Sequence, residues 1–281
     1  MVRPIATLLF AIPFLANAQE LPQPSPHGEV EQIIGLTEVE VEYSRPSVKG
    51  RKIFGDLVPM NEIWRTGANR NTMISFDGPV KVQGEDVPQG TYSLFTIPGP
   101  ESWIVILNRD TALWGADDYT DSLDVLRVKV KPEACEHTET MTFVFEDVVN
   151  DQARLDLRWE STRVSVVIAA DAKDKAMVNI KEALAKPDAS FRAYNSSARF
   201  CVDRNIMLKD ALGWAKKSVE MDKKFWNTHT LALAYAANGD YKNAITSAEE
   251  SLKLAQEADY KAYINMNKEK IDEWMTKVKA K

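Results

Sequence analysis

Apolar and polar residues alternate through the first part of the chain and recur every three to four positions through the second. From about residue 29 to 169 the period is two. Val39, Val41 and Tyr43 alternate with Glu38, Glu40 and Glu42, as in a strand with one buried face. The same spacing predicts strands at 72–76, 79–83, 91–97, 102–108, 124–130, 139–146, 153–160 and 162–169. Asp77-Gly78, Pro88-Gln89-Gly90, Pro98-Gly99-Pro100 and Asn150-Asp151 are turn signals between them. Many short strands without intervening helices predict an all-β sandwich or barrel. After about 170 the period predicts helices at 172–186, 188–202, 206–221, 224–238, 241–256 and 259–279. Pro187 separates the first pair, and Asn238-Gly239-Asp240 closes the fourth. The expected fold is β then α: an all-β sandwich over 29–169, then an all-α helical-hairpin domain over 170–281.

Within the helical half, residues 228–256 resemble a tetratricopeptide repeat. Leu231, Ala232 and Tyr235 hold the large-small-large packing positions of a first helix, and Gly239 makes the turn. Ala244, Ala248 and Ser251 are small residues that let a second helix approach. Ala211, Ala215 and Ser218 repeat the small set 33 residues earlier. Ala248 departs from the pattern, which prefers a large aromatic there. The 259–279 helix would cap the stack. A generic helical bundle is the other reading of this half.

Residues 1–18 read as a secretory signal peptide. Arg3 supplies the positive start, Ile5 to Leu15 the apolar stretch, and Ala16-Asn17-Ala18 the small-x-small cleavage pattern. Residues 19–28 form a Pro-rich leader. No Cys follows the apolar run to carry a lipid, and no other run approaches the ~20 apolar residues of a transmembrane span. The expected location is exported, periplasmic or extracellular. Cys135 and Cys201 could pair there or remain two buried thiols.

The 281 residues are 44% hydrophobic and 27% charged, which excludes a disordered chain. Two cysteines cannot staple a miniprotein, and a net charge of −6 argues against a nucleic-acid partner. Charge divides with the period. Residues 19–168 carry 14 Lys and Arg against 25 Asp and Glu, and residues 169–281 carry 20 against 16.

One stretch of the acidic half is basic. Residues 44–70 hold Arg45, Lys49, Arg51, Lys52, Arg65 and Arg70 against Asp56 and Glu62. The stretch is rich in Gly and Pro and reads as loop, where binding residues tend to sit. Arg grips carboxylate, phosphate or sulfate through a bidentate fork. Trp64 adds a stacking face and Asn69 an amide; Trp114 and Tyr119 add aromatics from 114–119. The candidate ligand site is therefore Arg45, Lys49, Arg51, Trp64, Arg65, Asn69, Trp114 and Tyr119, for an anionic or carbohydrate-like ligand. In the competing reading these arginines pin the loop to nearby carboxylates and the tryptophans are core.

Catalytic signals are few. Three histidines, His27, His137 and His229, leave only His137 placed for a Ser-His-Asp triad. No nucleophile elbow, phosphate loop, dinucleotide fingerprint or zinc helix motif occurs. Asp117, Asp118, Asp121 and Asp124 could serve glycoside hydrolysis, bind calcium or simply form turns. Glu133, Cys135, His137 and Glu139 would share one face of a strand, but alternate residues on one strand rarely wrap a metal. No metal and no cofactor is expected.

Several long segments occur in order: YSRPSVKGRKIFGDLVP (43–59), WRTGAN (64–69), GTYSLFTIPG (90–99), WIVILN (103–108), WGADDY (114–119), DVLRVKV (124–130) and LRWE (157–160). Over about 29–168 these resemble an uncharacterised exported bacterial family, domain of unknown function 2911. Met60 and Asn61 depart from it. The resemblance implies a domain boundary and an exported location, and no chemistry.

The expected function is a non-catalytic binding protein of the cell envelope. Its sandwich would hold the ligand and its helical repeats a protein partner. An envelope hydrolase of glycans or esters and a purely structural adaptor are the alternatives.

Overall fold

The computed structural model describes residues 21–279, so the signal-peptide segment lies outside the described residues. Ten strands are followed by six helices, and the chain divides into two compact units between Ala172 and Lys173. The first unit is built from two antiparallel sheets. One has six strands in the order β1 (His27–Ile34), β2 (Thr37–Ser44), β3 (Met73–Phe76), β6 (Gly90–Ile97), β7 (Trp103–Asn108) and β8 (Asp124–Val130). The other has four, in the order β5 (Glu85–Val87), β4 (Val80–Val82), β10 (Gln152–Ala169) and β9 (Glu133–Val149). Alternate residues of both sheets enter one core, among them Val39, Val41, Ile74, Leu107, Met141, Leu155 and Ile168.

Residues just after β2 tie the sheets together. The Val48 N–H donates to the Glu139 carbonyl at 2.8 Å and Met141 N–H to Pro46 at 2.9 Å, with Ser47 bridged to Thr140. Residues 45–48 thus act as a strap along the free edge of β9. That edge would otherwise present unpaired backbone groups.

Two strands break the sequence pattern. The spacing predicts separate strands at 153–160 and 162–169, whereas β10 is one strand whose pairing with β9 shifts register on both sides of Glu160. Odd residues Leu155, Leu157 and Trp159 point inward before Glu160; even residues Val164, Val166 and Ile168 do so after it. Glu160 pairs with Thr138 and Thr162 with Ala134, so three residues of β9 face Ser161 alone. The irregular pairing around Glu160 reverses the facing of every later residue, and a strict period of two breaks there into two apparent strands. Strand β9 also begins at Glu133, six residues before the expected start. Strands β1 and β5 were not singled out by pattern; β1 begins at His27, inside the expected leader.

The second unit holds α1 (Lys173–Leu184), α2 (Phe191–Asp203), α3 (Leu208–Met221), α4 (Phe225–Ala237), α5 (Tyr241–Glu257) and α6 (Lys261–Lys279). All six fall within a few residues of their predicted bounds. Small side chains allow close packing: Ala198, Ala211, Ala215, Ala232, Ala244 and Ala248 are fully buried. No described helix is long and apolar enough to cross a membrane. Both cysteines are free, Cys135 half-buried and Cys201 buried; burial raises both thiols above their usual pKa.

Candidate functional site

The basic stretch 44–70 has three different fates. Its first part is structural. Arg45 donates from Nε to the Met141 carbonyl at 3.1 Å and from Nη2 to Thr142 Oγ1 at 2.8 Å, so its guanidinium clamps the strap to β9. The Lys49 backbone N–H donates to Glu139 Oε1 at 2.8 Å. Arg51 closes its own turn, donating to the Val48 carbonyl at 3.0 Å and that of Ser47 at 2.6 Å. The fold itself uses the forks that the sequence offered to an anion.

The second part is core. Trp64 is 8% exposed and pairs through its backbone with Thr96, at 2.8 and 2.9 Å. Its indole stacks on Trp159 at 5.9 Å, stands edge-on to Trp103 at 6.3 Å, and donates to the Gly67 carbonyl at 3.2 Å. Asn69 donates to the Ser25 carbonyl and to Ser44 Oγ, both at 3.2 Å, and ties the loop to the chain start. Arg45, Arg51, Trp64 and Asn69 are thus held by contacts within the fold, whereas the Lys49 side chain is exposed and only its backbone is used.

The third part remains. Trp64 enters the core, and the next side chain, Arg65, is half-buried with its Nε atom inaccessible and without a hydrogen-bond partner among the described residues. Burial lowers the pKa of this guanidinium, and Asp117 opposes that effect. Asn71 follows on the same turn, where the Thr72 N–H donates to the Arg65 carbonyl at 3.2 Å. The Asn71 amide donates to Ser93 Oγ, which donates in turn to the Asp110 carbonyl. Its Oδ1 is buried and unpartnered. A buried donor and a buried acceptor thus both lack partners on one short turn, which native structures seldom leave unexplained.

Thr66 lies between them with φ of 56°. This is a strained backbone for a β-branched residue, and such strain costs of order 1–3 kcal/mol. Three hydrogen bonds hold it: Thr66 Oγ1 with Trp64 O at 3.2 Å and Thr96 Oγ1 at 3.0 Å, and Thr72 Oγ1 to Thr66 O at 2.6 Å.

The chain between β7 and β8 completes the site. Leu113 packs with Phe95 and Ile106 on the face of the six-stranded sheet away from the main core, joined by Ile63 and Tyr119. The Leu113 carbonyl accepts from Asn71 N–H at 3.4 Å, and the Arg70 guanidinium donates to the Thr111 carbonyl at 2.9 Å. Trp114 is 72% exposed on this segment. Tyr119 donates to Asp124 Oδ2 at 2.6 Å and accepts from Arg127 Nη1 at 2.8 Å. Burial and then the Asp124 carboxylate push its hydroxyl up to about 12. Tyr119 thus lies on the outer side of the sheet, on the segment that also carries Trp114, and Arg65 is coupled to that segment through Asp117. Asn71 was missed because a single Asn after a loop carries no signal until its amide is seen to be buried.

The carboxylate group does not converge. Asp124 is held by Tyr119, Arg127 and Asn108 Nδ2, the last at 2.8 Å, while Asp117, Asp118 and Asp121 are exposed. Glu133, Cys135, His137 and Glu139 do lie on one strand, β9. Glu133 is paired with Arg163, and His137 Nε2 lies 3.3 Å from Glu139 Oε2. Among the described residues no group of three or more His, Cys, Asp or Glu could hold a metal.

A second polar array on β9 and β10 went unpredicted. Asp156 has a fully buried carboxylate that accepts from Arg154 Nε at 2.8 Å, Arg158 Nη2 at 2.8 Å and Ser165 Oγ at 2.7 Å. Glu146 joins both arginines at 2.6 Å. Asp147 adds a third carboxylate, on Arg154, and the array braces the long hairpin.

Comparison with protein families gives one match: residues 25–168 fit the model described as Protein of unknown function (DUF2911). No curated protein and no solved structure matches the chain.

Proposed function

The chain belongs to this family, and from that premise we propose that its β unit is a non-catalytic binding module for an anionic or sugar-like ligand. The carrying observation is the pair of buried, unpartnered polar atoms on one turn, Arg65 Nε and Asn71 Oδ1. Beside them an exposed indole, Trp114, has no packing role that would explain its place. Charge supplied by Arg and a stacking face supplied by Trp suit a carboxylate- or phosphate-bearing ring. The mechanism is reversible binding through the permanently charged Arg65 guanidinium.

We propose further that the helical unit is tetratricopeptide-like and presents a surface to another protein. Its support is a repeated hydrogen-bond unit. Ser218 Oγ donates to the Phe191 carbonyl and Ser251 Oγ to the Phe225 carbonyl, each at 2.7 Å. Each serine also accepts from an asparagine, Asn227 at 3.0 Å and Asn267 at 2.8 Å. Aromatic pairs repeat likewise, Phe191 with Trp226 at 5.6 Å and Phe225 with Tyr260 at 5.0 Å. The signal-peptide pattern at 1–18 supports a location in the envelope or outside the cell.

Thermal unfolding of the full chain with glucuronate, inorganic phosphate and sulfate tests the ligand reading. A ligand at 100 times its Kd stabilises by about 2.7 kcal/mol, several degrees at roughly 2–4 °C per kcal/mol. The shift is expected in the native protein and absent in Arg65→Ala, which melts normally without ligand. An early melt of Arg65→Ala and no shift with any of the three would leave the loop structural. Asp118→Asn and Asp121→Asn should leave binding intact, and turnover that they abolish would favour a hydrolase.

A further inference from the structure

A cavity of about 260 Å³ opens where β9 bulges against Ser161 of β10. Phe54 and Trp103 line it, their rings 4.9 Å apart at 72°. Met60, Pro100 and Ala134 extend the apolar lining. Ser161 and Thr162 line its polar side, where the hydrogen-bond ladder between β9 and β10 is interrupted. We propose that this cavity is a second ligand site, for a small uncharged molecule that joins one ring to a hydrogen-bond acceptor.

Each part of that description follows from the lining. The volume lies just below the range of drug-sized pockets, about 300–1,000 Å³, which suits a single-ring molecule. Half-buried Phe54 offers the aromatic surface against which a ring packs, with the buried Trp103 behind it as the floor. The carboxylate at the rim, Glu133, is matched by Arg163, so the site has no surplus charge for an ionic ligand. An acceptor meets hydroxyls at the bulge. Behind Phe54, 6.1 Å from its ring, lies Trp159, whose buried Nε1 has no hydrogen-bond partner among the described residues. Phe54 stands on a tight turn closed by Val58 N–H to the Ile53 carbonyl at 2.9 Å, with Gly55 at φ of 86°.

The site is distinct from the Arg65 turn, because Trp64 points into this aromatic cluster and Arg65 does not belong to it.

The test titrates the full chain with benzamide, which has a ring and an acceptor, and with acetamide, which has only the acceptor. Tryptophan fluorescence and binding heat are the readouts. Ala134 and Ser161 are exposed positions on the rim, so Ala134→Leu and Ser161→Leu fill the cavity without touching the core. Saturable binding of benzamide but not acetamide is expected, weakened at least about tenfold in whichever filled variant melts like the native chain. Arg65→Ala should bind benzamide as the native chain does. The proposal is overturned by a non-saturable benzamide response, by equal binding of acetamide, or by native affinity in a folded filled variant. Loss of benzamide binding in a folded Arg65→Ala chain would also overturn it, since the two sites would then be one.

Discussion

Asp156 carries a charge with no exposed surface, and three side chains account for it. Burial alone would raise its pKa, but hydrogen bonds from Ser165, Arg158 and Arg154 outweigh that and leave it below the ordinary value. The unfolded chain, with a pKa of about 3.9, therefore binds this proton before the folded one does. The stabilisation is complete above about pH 4 and fades as pH falls through the folded value. Asp156→Asn should cost at least about 2 kcal/mol at neutral pH, because it strands buried arginine donors. Urea unfolding at pH 7 and pH 3 checks both statements: the gap between the two proteins should narrow in acid. Tyr119 has the opposite sign. Its raised pKa favours the neutral phenol in the folded chain, so its contribution holds below about pH 10 and is lost towards 12. Ultraviolet titration should find one tyrosine ionising late, and Tyr119→Phe should remove it. None of these partnerships was legible in the sequence. Arg65 and Arg45 look alike there, and only three-dimensional neighbours make one a clamp and the other unpartnered.

Among the elements, the helices were the most legible, because each buries one stripe at a regular spacing. Strand β10 was the least, because the irregular pairing around Glu160 inverts its facing. Glu160 itself has φ of 55°, where glycine is at ease and other residues are strained. Glu160→Gly should be neutral or stabilising by up to about 1 kcal/mol, whereas a glycine at an ordinary strand position such as Leu157 should destabilise. Calorimetry of the two variants separates them. In the helical unit His229 of α4 is buried, and its Nδ1 lies 2.8 Å from Asn267 Oδ1 of α6. Asn267 donates from its nitrogen to Ser251 and to the Tyr263 carbonyl, so its oxygen accepts and His229 donates. Burial lowers the histidine pKa; the Asn267 bond raises it, and Arg199 and Lys270 lower it further. Protons then bind the unfolded chain first, at its pKa of about 6.5, and the helical unit loses stability as pH falls below that value. His229→Gln should flatten this dependence in melting curves followed by helical circular dichroism.

At the level of the whole molecule, each unit has its own buried clusters, as independently folding domains do. Asp156→Asn should therefore lower the melting of the β unit, and Ser251→Ala that of the helical unit by about 1 kcal/mol, each leaving the other's transition in place. Differential scanning calorimetry reads both, and a single transition moved equally by either change would contradict the expectation. The order of sheets then helices was legible from period alone. The strap was not, since residues 45–48 pair with a strand more than ninety residues away, and such a partner leaves no local signature.

Trp64 makes a second link between the sheets. That indole pairs by its backbone with Thr96 of the six-stranded sheet, yet stacks at 5.9 Å and 19° on Trp159 of the four-stranded one. Two indoles so close and nearly parallel share their electronic excitations. To the extent that their in-plane transition moments are skewed, their strong ultraviolet transitions couple into a pair of circular-dichroism bands of opposite sign. Neither ring alone gives that couplet, and it depends on the two sheets being closed on one another. The molecule thus carries an optical gauge of its own closure, readable without any added label.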